Sequence, residues 1–191
     1  MYKKLSLFTG LFAALAVGSF AQTNNFQDQT AVNAGDGLGR PRIADVKTAG
    51  VKASVIVNTA SVERIAFEMI NQKRAENGLG LLSWSDEVAA IARVHSQSMA
   101  QNNFFSHRGL DNKMVSDRAD ERGLTKWRSI GENIAFNRGY DDPVSKAVDL
   151  WLSSPSHQHN MMDDKWKEAA IGVAIAADGS YYFTQVFLAR K

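Results

Sequence analysis

The four histidines of this chain, His95, His107, His157 and His159, all fall after residue 60, and Glu132 stands between a glycine and an asparagine. Imidazole and carboxylate are the groups that hold metal ions, move protons and bind polar ligands. Each also has a plainer reading. His95 shares an apolar helical stripe with Val88, Ile91, Ala92 and Met99. That is the setting of a buried histidine hydrogen-bonded in the core. His107 follows Phe104, Phe105 and Ser106, just past that helix, where a loop would form an aromatic-flanked floor. An ordinary loop histidine fits the same place. Glu132 precedes the apolar run Ile134-Ala135-Phe136, and its plain role is to accept backbone N–H groups and hold a loop. His157 and His159 flank Gln158. On a helix, residues i and i+2 point apart, so the two could share one metal only on an extended segment. Pro155-Ser156 just before them resembles a helix start.

Other chemistries lack their residues. The chain has no cysteine, which removes thiolate nucleophiles, disulfides and Cys-based metal sites. No nucleophile elbow, HExxH, P-loop or GxGxxG motif is present. The basic residues are scattered, without a Lys/Arg stripe or an aromatic RNA-binding box, which argues against nucleic acid as a partner.

The elements that must place these groups are legible in part. Val62, Ala66, Met69 and Ile70 mark a first helix, with Ser61 as its cap, Glu63 in its first turn and Asn77-Gly78 at its end. Ser85 caps a second helix whose first turn carries Asp86 and Glu87. A short third helix is expected over residues 113–122, stopped by Gly123. The fourth starts with Asp142 as cap and Pro143, buries Val144, Ala147, Val148 and Trp151, and closes at Pro155. Ile171, Val173 and Ile175 then alternate with small residues, Asp178-Gly179 signals a hairpin, and residues 181–188 read as a strand. The stretch leading to Glu132 reads as irregular. Helices followed by strands give an α+β or layered α/β/α domain over residues 61–191.

What precedes this domain reads differently. Residues 1–21 have the form of a secretory signal peptide: Lys3 and Lys4, an uncharged apolar run over 5–17, and Ser19 and Ala21 before a cut at Gln22. The run is too short to span a bilayer and no later segment is apolar enough, so the mature chain is expected to lack a transmembrane segment and to be secreted or periplasmic. Residues 22–60 read as a flexible tail or spacer, with a short strand expected over 51–57. The 191-residue chain has a formal charge of +2. Removing Lys3 and Lys4 brings its 22 basic residues to 20, equal to its 20 acidic ones, so net charge gives no pull toward an anionic partner.

Six sequence blocks now carry a resemblance. They are Ile70-Asn71-Gln72-Lys73-Arg74 with Leu82-Ser83-Trp84; Ala92-Arg93-Val94-His95-Ser96; Phe104-Phe105-Ser106-His107; Gly131-Glu132-Asn133-Ile134-Ala135; Trp151 with Ser154-Pro155-Ser156-His157; and the closing Ile171-Gly172-Val173 and Tyr182-Phe183-Thr184-Gln185-Val186-Phe187. In this order they resemble bacterial SCP-domain proteins of the CAP superfamily of cysteine-rich secretory, antigen 5 and pathogenesis-related proteins.

The resemblance implies a three-layer α/β/α sandwich with a central cleft, lined in many members by two histidines and two acids. Carried over by motif, His107, Glu132 and His157 are three of these, and the fourth position is Ser154, as is usual in the bacterial branch. It implies two classes of function. One is a non-enzymatic module binding a small ligand, lipid, glycan or peptide in a cleft containing His107, Glu132, His157 and Ser154. The other is a metal-assisted, peptidase-like hydrolase, with His107 and His157 as the candidate zinc ligands and an activated water as nucleophile. Without disulfides, packing alone must brace the sandwich, with Trp84, Trp127, Trp151 and Trp166 as expected core anchors.

Overall fold

The computed structural model describes residues 57–191. The expected signal peptide, nearly all of the expected tail and all but one residue of the strand expected over 51–57 lie outside the described residues. Five helices and four strands follow: α1 (Thr59–Glu76), β1 (Ser83–Trp84), α2 (Asp86–Asn102), α3 (Val115–Glu121), β2 (Trp127–Asn137), α4 (Pro143–Ser153), α5 (Pro155–Met162), β3 (Glu168–Ile175) and β4 (Tyr181–Arg190).

Most boundaries follow from caps. Ser85 caps α2 by accepting from the Val88 N–H, and Asp142 caps α4 by accepting from the N–H groups of Val144 and Ser145. Helix α1 departs from expectation. Asn58, not Ser61, is its cap and accepts from the Ala60 N–H at 3.1 Å. The helix therefore starts earlier, and Glu63 lies beyond its first turn on the buried face. Pro155 ends α4 and opens α5, since a proline suits the first turn of a helix.

The sheet runs β1-β3-β4-β2. The short β1 is parallel to β3, the β3–β4 hairpin is antiparallel, and β2 pairs antiparallel with β4 at the far edge. Side chains alternate across it. Ala169, Ile171, Phe183 and Phe187 join α1, α4 and α5 in one core. Ala170, Val186 and Leu188 join α2 and α3 in another. The result is the expected α/β/α sandwich. Trp151 and Trp166 are buried anchors, whereas Trp84 and Trp127 are only partly buried at the margins.

Polar contacts weld the layers. Glu63 is 1% exposed and binds the Arg93 guanidinium through both oxygens while accepting from the Val173 N–H at 3.1 Å. One carboxylate thus ties α1, α2 and β3. Ser96 donates to the Gly172 carbonyl at 2.9 Å. Here α2 lies directly on the sheet, and a Cβ on Gly172 would fall on the backbone of Ala92 and Arg93. Arg74, also buried, donates to the carbonyls of Gly80, Met161 and Asp163 and clamps the end of α5 to α1.

Gly172→Ala is expected to lower stability by about 3 kcal/mol, because two backbones must separate to admit one methyl. Chemical denaturation followed by tryptophan fluorescence measures it. A loss under about 1 kcal/mol would show a looser packing of α2 on the sheet.

Candidate functional site

The strand β2 carries the site, and each residue of Gly131-Glu132-Asn133 does one job there. Gly131 makes room for the Trp166 indole: a Cβ would stand 2.8 Å from its ring. Glu132 turns into a buried polar brace. One oxygen accepts from the Arg118 guanidinium at 2.5 Å, the other from His107 Nδ1 at 2.8 Å. Asn133 reaches toward α5. Its Nδ2 donates to the His157 carbonyl at 3.1 Å, and its Oδ1 accepts from Asn160 at 3.1 Å.

Arg118, on α3, holds the brace from the other side. Beyond Glu132 it donates to the carbonyls of His107 and Lys113, at 3.2 and 2.9 Å. It fixes the acid and the loop that carries the histidine at once. The partners of Glu132 are therefore side chains rather than the backbone N–H groups its sequence setting suggests. An ionised carboxylate only accepts, so His107 donates from Nδ1, and in the neutral ring Nε2 keeps its lone pair. The loop itself begins at Asn103, whose left-handed backbone (φ 52°) ends α2. His95 supports the same loop. It is 1% exposed, its Nε2 lies 2.9 Å from the Ser106 carbonyl, and burial pushes its pKa below the usual imidazole value.

His157 sits in the first turns of α5, with its ring 6.3 Å from that of His107, centroid to centroid. Its pKa is also lowered, first by burial and then by the neighbouring His107. Because α5 is helical, His159 diverges from it and is exposed. The structure thus brings His107, Glu132 and His157 together and leaves His95 and His159 outside.

Beside His157 opens an apolar pocket of about 460 Å³. Phe104 and Phe105 form one wall, Leu150, Trp151 and Ser154 the other, and Ile134 to Phe136 of β2 run beneath, with Tyr182 alongside. Its rim is unusually apolar for a surface: Phe105 is 51% exposed and Phe136 40%. Ser154 and His157 are its polar groups from the predicted set, while His107 and Glu132 are not among its lining residues.

This donor set does not match a zinc centre. Both oxygens of Glu132 are engaged by Arg118 and His107, which leaves two imidazoles. Among the described residues no three His, Cys, Asp or Glu side chains gather to hold a metal. A catalytic zinc takes three protein ligands, so the residues present do not fit one.

Sequence reasoning passed over Arg118, Asn133 and the wall residues Leu150 and Tyr182. The only signal for Arg118 was an arginine in a short helix that also buries Val115 and Ala119, and distance in sequence hid its partner.

Comparisons with known proteins agree with this geometry. The profile of the cysteine-rich secretory protein family, CAP, matches residues 67–187. An uncharacterized membrane protein of Bacillus subtilis, YlbC, is 34% identical over 134 residues, covering 70% of this chain and 36% of that one. A second B. subtilis protein, YkwD, is 28% identical over 70% of this chain and 49% of its own length. The chain thus spans half or less of the curated relatives it matches. Among solved structures, an extracellular SCP-domain protein of Bacillus anthracis superposes with TM-score 0.58 at 28% identity, covering 69% of this chain and 41% of that one. An outer surface protein of Borrelia burgdorferi gives 0.64 at 19% identity, covering 71% and 97%. With the sandwich, the ordered motifs and the family profile in agreement, this chain belongs to the CAP family of cysteine-rich secretory proteins, although it contains no cysteine.

Proposed function

We propose that the chain is a secreted or periplasmic, non-enzymatic module that binds a small ligand, lipid, glycan or peptide in the pocket beside His157. The observation that carries this reading is the apolar pocket of about 460 Å³ lined by one imidazole, that of His157, with Ser154, Tyr182 and Asn103 as its other polar residues. Its size and its few convergent polar groups are those of ligand sites. The leader-like residues 1–21 support export, as does the fold shared with an extracellular and an outer surface protein. Among the described residues no helix is long and apolar enough to cross a membrane.

In this reading the Arg118–Glu132–His107 brace is scaffolding. With both oxygens committed to Arg118 and His107, Glu132 is poorly placed as a general base. The brace keeps the Phe104–His107 loop at the distance from α5 that the pocket needs.

A neutral apolar dye, Nile red, is expected to bind with one-to-one stoichiometry. Ser154→Trp fills the pocket from a partly exposed position and should weaken the dye at least about tenfold, about 1.4 kcal/mol, with an unchanged melting midpoint. Equal affinity in the two proteins would remove the pocket from the function. Zinc binding at unit stoichiometry that disappears in His107→Ala, measured by calorimetry, would favour the hydrolase reading instead.

The dye's affinity should also depend on pH. An apolar occupant buries His157 further and favours its neutral ring, so binding releases protons. Affinity is then full above the ordinary imidazole pKa of 6.5 and falls as pH drops through the lowered value of His157. His157→Ala should flatten that profile; a wild-type curve flat from pH 7.5 to about 5 would count against contact with His157.

Glu132→Ala should cost about 3 kcal/mol of stability by leaving the buried Arg118 unpaired, and should weaken the dye only together with that loss, as the loop it holds loosens. Lost binding in a variant of normal stability would assign Glu132 to the ligand.

A further inference from the structure

We infer that the occupant of the pocket is an uncharged, extended stretch of polypeptide that adds a strand to the free edge of β2. The inference rests on the pocket being a ligand site and names what fills it.

Strand β2 is the edge of the sheet, paired on one side with β4. The Lys167 N–H donates to the Leu188 carbonyl, so the even-numbered residues of β4 turn to β3 and the odd-numbered ones to Gly131, Asn133 and Ala135 of β2; the Glu132 carbonyl therefore faces outward, where it accepts from Asn160 Nδ2. In an antiparallel ladder the outward and inward groups alternate along the strand. The register therefore turns the N–H and C=O of Ile134 and Phe136 to the same free edge as Glu132. Among the described residues nothing else bonds to that edge at these two positions. Ile134 is 5% exposed, so its outward groups meet the pocket rather than open solvent.

Buried N–H and C=O groups require partners. Here the outward groups recur every second residue, at the buried Ile134 and at the rim residue Phe136, about 6.6 Å apart. A polypeptide in extended form carries donors and acceptors at that same period, and strand addition to a sheet edge uses it. An acyl chain offers neither donor nor acceptor, and a glycan does not share the repeat.

The walls set the side chains of the guest. Phe104, Phe105, Leu150, Trp151 and Tyr182 bear no charge, so an ionised residue would be desolvated without a counter-ion. A charged guest is disfavoured, and apolar side chains that alternate with small ones suit a groove with two walls.

The test uses an acetylated, amidated hexapeptide of alternating valine and serine, and the same peptide N-methylated at alternate amides. Both are titrated into the mature protein by isotope-edited NMR. The unmodified peptide should shift the Ile134 and Phe136 amides and slow their hydrogen exchange at least about tenfold. N-methylation should weaken binding at least about tenfold by removing the ladder donors. Phe136→Ala keeps the edge N–H and Phe136→Pro removes it, as an edge strand tolerates. The proline variant should bind at least about tenfold more weakly than the alanine variant. If Phe136→Pro does not fold, the N-methyl comparison on the wild type decides. Equal affinity of the two peptides overturns the inference. So does an absence of peptide binding up to about 1 mM in protein that still binds Nile red in a Ser154-dependent way, an outcome that leaves the pocket itself standing. Failure of both peptide and dye overturns both readings.

Discussion

A carboxylate taken out of water has to be paired, and in this fold the pairing of Glu132 decides where three elements go. Its side chain is 3% exposed. Arg118 from α3 and His107 from the loop after α2 meet it from different directions, while β2 carries it at the sheet edge. Breaking such a pair by removing one partner costs far more than the pair contributes relative to an apolar replacement. The value of the arrangement is therefore positional. It fixes the Phe104–His107 loop against β2, and that loop supplies one wall of the pocket. Asn133 extends the same control to α5 by holding the His157 carbonyl.

The chain builds this without a single cross-link. Disulfides would constrain the unfolded chain; here specific buried polar contacts hold the folded one. Arg74 reaches three carbonyls on two segments, Glu63 joins two helices and a strand, and Asn71 exchanges two hydrogen bonds with Leu82 across the turn that follows α1. Each contact links residues that packing alone would leave free to slide. Each also replaces water with a matched partner, so burial does not leave an orphan group. The layers can then meet closely enough for α2 to lie on Gly172 with no side chain between.

How much of this could be read in the sequence depends on range. The caps at Ser85 and Asp142 and the stripe from Val88 to Met99 are local signals, and the structure keeps them. Asn58 displaced Ser61 as the cap of α1 because both are good acceptors and pattern alone does not choose between them. The strand β2 was invisible as a strand: Gly131-Glu132-Asn133 breaks the apolar alternation, and its glycine and two polar residues serve Trp166, the brace and α5 instead. His107, Glu132 and His157 were found through motif resemblance, since no spacing rule links residues 25 apart on different elements. Arg118 was missed for the same reason; the aromatic side of the pocket at Phe104 and Phe105 was legible, but its other side was missed because Leu150 looks like an ordinary surface residue until β2 is placed between them.

Placing β2 at the edge also raises a problem that the fold has to solve. An exposed edge next to apolar side chains is a template for unwanted pairing with other chains. Here the edge is recessed: Asn160 from α5 occupies the Glu132 carbonyl, and the Phe104–His107 loop stands over the opposite side. A second sheet could not approach along its full length, but a single extended segment could enter between the walls. The same recess explains why polar and apolar parts of the site are kept apart. The brace must stay paired to hold the loop, so it can vary little. Phe105 and Leu150 are exposed at the rim and make no such pair, so they can change without disturbing it. In the proposed binding role, selectivity can then be altered at the rim of the pocket while the brace stays the same.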